Sequence, residues 1–208
     1  MGDIFLRLIT SILLLSVLFI SYRFEQFFNI LLIFLSILAF LEFIKLIIKI
    51  KIFLKKKLII TLGLIYIIII NYLLINNIHL HKDIIFYFIL ICICTDIGGL
   101  IFGRIFKGKK LTKISPNKTY SGFYGSFIFS FSLMLISVNL LDINIIQIII
   151  FTFSVCLLSQ FGDIFFSYLK RLAKVKDTGN LLPGHGGILD RIDGVIVSVP
   201  INFLIYIL

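Results

Sequence analysis

The sequence predicts an all-α fold: a polytopic transmembrane helical bundle of about seven spans. Three observations carry this reading. First, 60% of the 208 residues are hydrophobic and only 14% are charged, with a mean hydropathy of +1.15. A soluble domain carries about 25% charged residues, and one core of this size could not hide so much apolar surface, so lipid must act as much of the solvent. Second, the apolar residues fall into runs approaching the ~20 residues that a helix needs to cross a bilayer. Third, these runs lack strict alternation, and strands exposed to lipid cannot leave their edges unpaired.

The first run, 4–22, has only Arg7 ahead of its apolar stretch and no small-residue cleavage site, so it reads as a retained helix rather than a removed signal peptide. Segments 27–44 and 58–75 follow, and with the first they form an N-terminal region, 1–83, of about three helices. Segment 84–103 opens a second region, 84–208. Segments 120–140 and 143–162 are separated by a short polar break around Asn139 and Asp142, and 192–208 ends the chain. Cys92, Cys94 and Cys156 all lie inside apolar runs without a second ligand pair nearby, and read as small buried hydrophobes.

Basic residues set the orientation. Lys45, Lys49, Lys51, Lys55, Lys56 and Lys57 fill one connection. Arg104, Lys107, Lys109, Lys110, Lys113 and Lys118 fill another, and Lys170, Arg171, Lys174, Lys176 and Arg191 a third. The intervening connections hold Arg23, Lys82 and neither residue, respectively. Alternate loops are basic, which places the N-terminus in the cytoplasm. Net charge is +10. In a soluble protein that would suggest nucleic acid; here it suits loops beside anionic lipid, with no nucleic-acid partner. The Ile-, Lys- and Asn-rich vocabulary and these loop charges fit a bacterial inner membrane.

Twelve of the fourteen glycines fall in 96–125 and 162–194. Glycine permits turns and close approach of backbone to a ligand, so the two stretches are expected to form one cytoplasmic-face active site; ordinary interhelical turns are the plainer reading. The stretch Gln160–Gly194 also holds Asp163, Asp177, Asp190 and Asp193 among the five basic residues of the third loop. Carboxylates suit Mg²⁺, and Lys and Arg suit phosphate oxygens. Together they describe a site for a metal-complexed polyphosphate.

The pattern of Ser167, Lys170-Arg171, Lys176-Asp177, Gly179, Pro183, His185-Gly186-Gly187 and Asp190-Arg191-Ile192-Asp193 resembles the signature of the phosphatidate cytidylyltransferases, the CDP-diacylglycerol synthases. TDIGGLIFGR at 95–104 and ISPNKTYSGFYGS at 114–126 are similar to two further blocks of that family, in the same order. The likeness covers roughly the last half of the chain; the first half matches only as apolar helices.

The resemblance implies an enzyme that takes CTP and phosphatidic acid, a membrane lipid, and forms CDP-diacylglycerol and pyrophosphate. It implies Mg²⁺, with a second cation such as K⁺ or another divalent ion. Asp163 and Asp190 are its metal ligands and catalytic residues, with Lys170 and Arg171 neutralising phosphate charge. Asp96, a carboxylate inside an apolar segment and thus functional by default, is a further cation contact or a ribose and phosphate contact, with a structural hydrogen bond to a neighbouring helix as the alternative; Asp193 is a further cation contact. Ser115, Lys118 and Thr119 stand just before a helix, where free amides suit a phosphate; a cap from Ser115 or Asn117 beside an interfacial lysine is the alternative. Ser167, Lys176, Asp177, His185 and Arg191 are substrate contacts on the same match, although Asp177 paired with Lys176 and His185 in a structural turn are equally consistent with the residues. A plain salt bridge from Asp190 to Arg171 or Arg191 is the alternative to metal binding there. A homodimer is implied by the family alone.

Three positions depart from the pattern. Ser121 and Phe166 stand where the family usually has Glu, and Gly194 where Ser is frequent. The two lost acids put a second cation site in question. A related lipid or polyprenol kinase, an inactive homologue and an ion-coupled carrier are the competing readings.

Overall fold

The computed structural model describes residues 2–51, 55–141, 143–181 and 186–208. Six helices occur among the described residues: α1 (Gly2–Arg23), α2 (Glu25–Lys49), α3 (Lys56–Phe106), α4 (Tyr120–Ser137), α5 (Ile145–Leu172) and α6 (Leu189–Ile207). No strand occurs among the described residues. Each of the seven apolar segments lies on a helix, and two of them, 58–75 and 84–103, are joined within α3. That helix has 51 residues, with non-helical backbone angles at His81. At 1.5 Å per residue it would be ~76 Å long if straight, more than twice the hydrocarbon thickness. Among the described residues, α2, α3, α4 and α5 are long and apolar enough to cross a membrane.

Helix α5 outruns the segment expected from hydropathy. The apolar run ends at Asp163, but the helix continues to Leu172. Its last turn carries Lys170 and Arg171, cations that suit the negative end of the helix dipole. The chain then turns with Lys174 at φ 56°. Lys174 N–H donates to Arg171 C=O, and Val175 N–H to Lys170 C=O, both at 3.0 Å. This is the paired hydrogen bonding that closes helices at a left-handed residue.

The chain divides into two compact units. One comprises residues 1–82 and 169–192. In it α1 packs on α2, and Asn71 of α3 donates to Ser36 of α2 at 2.9 Å. Such polar pairs tie helices together where lipid gives no hydrophobic drive between them. Phe28, Leu46, Ile47 and Ile78 are buried.

The other unit comprises 83–168 and 193–208. Buried Tyr87 and Thr152 hydrogen-bond at 2.6 Å, Thr95 and Ser130 at 3.0 Å, and Cys92 and Ser198 at 3.0 Å. All three cysteines are free, with Cys92 and Cys156 buried, as small hydrophobes would be. Several glycines of the stretch 96–125 line a helix crossing. A Cβ on Gly98 of α3 would lie 2.6 Å from the Phe129 Cβ and 2.7 Å from the Gly125 carbonyl of α4. One on Gly125 would meet the base of the Phe102 side chain. Small residues at these positions let two backbones approach closely, the usual means of packing helices in lipid.

The substitution Gly98→Ala should therefore destabilise this unit by ~1–3 kcal/mol, the ordinary cost of overpacking. A lower apparent melting temperature in detergent is the expected reading; an unchanged one would mean that the crossing is looser than described.

Candidate functional site

Helix α4 begins at Tyr120, two residues after Lys118, as the sequence leads one to expect. Its cap is Thr119, whose hydroxyl accepts from Gly122 N–H at 3.1 Å, and neither Ser115 nor Asn117 takes that place. The loop ahead of it is folded back on itself. Lys110 and Thr119 bridge in antiparallel fashion, Leu111 N–H donates to Lys118 C=O at 2.8 Å, and Ser121 Oγ donates to Lys107 C=O. Ser121 thus ties down the loop's entry. Ser115 accepts from Lys118 N–H at 3.1 Å, closing a turn that sets the direction of the lysine.

Lys118 Nζ reaches Asp163 Oδ2 of α5 at 2.9 Å. Both side chains are partly exposed, 28% and 19%. Asp163 lies well inside α5 rather than at its end, one turn from Ser167 and two from Lys170 and Arg171. It faces α6 at Gly194, where an added Cβ would lie 3.3 Å from Asp163 Oδ1 and would crowd Ser159 Oγ. The tightest contact would be with Ser159, so the glycine at 194 is what the close approach of α5 and α6 requires. Phe166 is buried and packs edge-on against Phe165.

In the unit of residues 1–82 and 169–192, Asp190 sits in the first turn of α6 among converging donors. Lys170 Nζ lies 2.7 Å from Oδ1. Oδ2 accepts from Thr178 N–H at 2.8 Å, from the Thr178 hydroxyl at 3.0 Å and from Gly187 N–H at 3.0 Å. The side chain is only 4% exposed. Its ion-pair partner is Lys170, and neither Arg171 nor Arg191 takes that role. Burial alone would push its carboxyl up, but the hydrogen bond and charge of Lys170 and the two backbone amides outweigh that and hold it below the usual aspartate range.

The remaining candidates are dispersed. Arg171 is exposed and donates to Val175 C=O at 3.4 Å. Lys176, Asp177 and Arg191 are exposed, and no ion pair joins Asp177 to Lys176. Asp177 instead lines the turn at Gly186, whose φ is +86° and where a Cβ would lie 3.3 Å from the Asp177 Cβ and 3.2 Å from Asp190 Oδ2. Asp193 is buried, its Oδ1 accepting from Gly194 N–H at 3.0 Å. Asp96 is exposed on α3. His185 lies outside the described residues.

One residue escaped the sequence reading. Glu42 of α2 is 2% exposed and accepts from the Thr178 hydroxyl at 2.9 Å, Ile188 N–H at 3.2 Å and Leu189 N–H at 2.9 Å. The signal was available: a lone acid late in the apolar segment 27–44, of a kind that is costly and functional by default.

No group of three or more His, Cys, Asp or Glu side chains gathers for a metal among the described residues. Mg²⁺ carried by a polyphosphate asks less, since it keeps waters and binds through one or two carboxylates plus phosphate oxygens. Asp163 and Asp190 fit that demand separately. Oδ1 of Asp163 has no hydrogen-bond partner among the described residues, and Oδ1 of Asp190 has only Lys170.

A model of the cytidylyltransferase family matches residues 3–208. Among proteins of known name, the phosphatidate cytidylyltransferase of Rickettsia felis is 40% identical over 138 residues, 60% of this chain and 59% of that protein. That of Staphylococcus saprophyticus is 42% identical over 121 residues, 57% of this chain and 46% of the relative. That of Helicobacter pylori is 33% identical over 126 residues, 60% and 47% of the two chains. The chain thus spans about half the length of the curated relatives it matches.

A carboxyl held low in the fold stabilises it fully above the ordinary aspartate value of about 3.9, and that stabilisation is lost as pH falls through the lower folded value. Melting temperatures followed from about pH 5 downward should fall less steeply for Asp190→Asn than for the unsubstituted protein. Parallel curves would contradict the donor cage around Asp190.

Proposed function

The chain belongs to the cytidylyltransferase family, and from that membership we propose that it joins CTP to phosphatidic acid, forming CDP-diacylglycerol and pyrophosphate at the cytosolic face of a bacterial inner membrane. The observation that carries this reading is the pairing of each key carboxylate with a lysine, Lys118 with Asp163 at 2.9 Å and Lys170 with Asp190 at 2.7 Å. A lysine next to a metal-binding carboxylate is the arrangement that a nucleoside triphosphate and its cation require.

In this reading an oxygen of the lipid phosphate, already largely ionised near pH 7, attacks the α-phosphorus of CTP. The new P–O bond replaces the bond to the bridging oxygen of the β-phosphate, and pyrophosphate leaves with that electron pair. No side chain needs to remove a proton. Transfers of this class are mainly positioning and charge neutralisation. Lys118, Lys170 and Arg171 supply positive charge to phosphate oxygens. The Thr119 cap and the Ser115 turn fix the direction of Lys118. Asp163 and Asp190 would each hold Mg²⁺, which would polarise phosphate oxygens and offset their charge.

The topology proposed with it has seven spans. Helix α3 supplies two of them, interrupted at His81, because a single crossing cannot use 51 residues. The basic connections, including exposed Lys45, Lys49 and Lys51, then lie on the cytoplasmic side with the N-terminus.

The test is product formation by purified protein in detergent with Mg²⁺, labelled CTP and phosphatidic acid. CDP-diacylglycerol and pyrophosphate should appear together, and ATP should not replace CTP. A phosphorylated lipid made from ATP would establish a kinase instead, and no product from either nucleotide would leave an inactive homologue or a carrier. Asp163→Asn and Asp190→Asn should each lower kcat by about a hundredfold or more, as removal of held charge stabilisation does. Near-normal rates in either variant would defeat that residue's role. Substituting Lys45, Lys49 and Lys51 together should leave turnover almost intact.

A further inference from the structure

Among the described residues, helix α6 starts without a local side-chain cap for its first amides. The residues leading into Leu189 are Gly186, Gly187 and Ile188, none of which carries a side-chain acceptor for the free amides of a first turn. The acceptor comes instead from α2, 146 residues away in sequence: Glu42 Oε1 takes Ile188 N–H at 3.2 Å and Oε2 takes Leu189 N–H at 2.9 Å. The Thr178 hydroxyl stands between two carboxylates, 2.9 Å from Glu42 Oε2 and 3.0 Å from Asp190 Oδ2. It has one proton and can donate to only one of them at a time. The backbone makes room for this carboxyl with glycine. A Cβ added at Gly179 or at Gly187 would collide with the Glu42 carboxyl group. Both glycines lie in the stretch that carries the chemistry, yet the group they accommodate comes from an apolar helix of the N-terminal region.

We propose that Glu42 is a positioning residue, which through Thr178 and the first amides of α6 holds Asp190 in place beside Lys170. The proposal rests on the nucleotidyl-transfer reading above and deepens it, adding a residue of α2 to the support of that site. Glu42 touches no reacting group. It acts by fixing Thr178 and the backbone from 187 to 190, so that Asp190 meets its cation without first having to be ordered.

The test compares Glu42→Ala, Glu42→Gln and Thr178→Val with the unsubstituted protein in detergent. Two readouts are taken, hydrogen exchange of the amides at 186–192 and steady-state turnover of CTP with phosphatidic acid. In Glu42→Ala, exchange at Ile188 and Leu189 should quicken while the amides of α4 keep their protection. Its kcat should fall roughly tenfold to a hundredfold, the usual loss when support of a metal-binding side chain is removed, with KM for phosphatidic acid altered less than about threefold. Glu42→Gln retains one acceptor oxygen and should fall between the two. Thr178→Val cuts only the link between the carboxylates, so it should lower kcat while Ile188 and Leu189 stay protected, a separation that a purely structural cap would not produce.

Unchanged exchange in Glu42→Ala would overturn the proposal, as would full turnover in Thr178→Val. Should Glu42→Ala fail to fold, Glu42→Gln and Thr178→Val decide the matter by the same two readouts. If the unsubstituted protein makes no CDP-diacylglycerol, the proposed function fails, and exchange alone then decides on Glu42: quickening at Ile188 and Leu189 supports the anchor, and its absence refutes it.

Discussion

The first turn of α6 leaves backbone amides that cannot be satisfied within the helix, and a carboxyl from α2 satisfies two of them. Much of the surrounding structure follows from that demand. A buried amide without an acceptor costs ~1–3 kcal/mol, so the cap is a condition for α6 to begin where it does. Beginning there puts Asp190 in the first turn, where its carboxyl also benefits from the positive end of the helix. Thr178 and Gly187 turn their amides onto the same carboxyl, and Lys170 closes the cage from the end of α5. A buried carboxylate is tolerable only when its oxygens are this well supplied with donors.

Glycine serves two purposes in the chain. At Gly98 and Gly125 it allows α3 and α4 to touch through their backbones, which is packing. At Gly179 and Gly187 it leaves space for the Glu42 carboxyl, and at Gly186, with φ +86°, it supplies a turn beside Asp177 and Asp190. Abundance of glycine in a stretch does not separate these uses. The distinction depends on what lies opposite each residue, and that is set by another segment of the chain.

The two lysine–aspartate pairs differ in character. Lys118 and Asp163 are both partly open to solvent, so a phosphate or a cation can compete for either partner at modest cost. Asp190 is almost enclosed, with two backbone amides on one oxygen, the Thr178 hydroxyl shared between that oxygen and Glu42, and Lys170 on the other oxygen. It is held in a fixed orientation, whereas Asp163 is placed within reach. Ser121 anchors the loop, and Phe166 is packed in the interior.

By itself the sequence determined the solvent of this protein and the class of its fold, because hydropathy is a sum over residues and needs no knowledge of contacts. It also determined the family, since the spaced Lys, Asp, Gly and His positions from Ser167 to Asp193 form a pattern readable in one dimension. The start of α4 after Lys118 was legible for the same local reason. Partners were not. The choice of Lys170 over Arg171 or Arg191 for Asp190, the pairing of Lys118 with Asp163, the continuation of α5 past Asp163 and the helix crossing at Gly98 were all decided by tertiary structure. Glu42 shows why most plainly: its chemistry is visible as an acid in an apolar run, but its purpose is set by Thr178, Ile188 and Leu189, far away along the chain. Side-chain oxygens and backbone amides interact over about 3 Å, and only folding brings such groups that close.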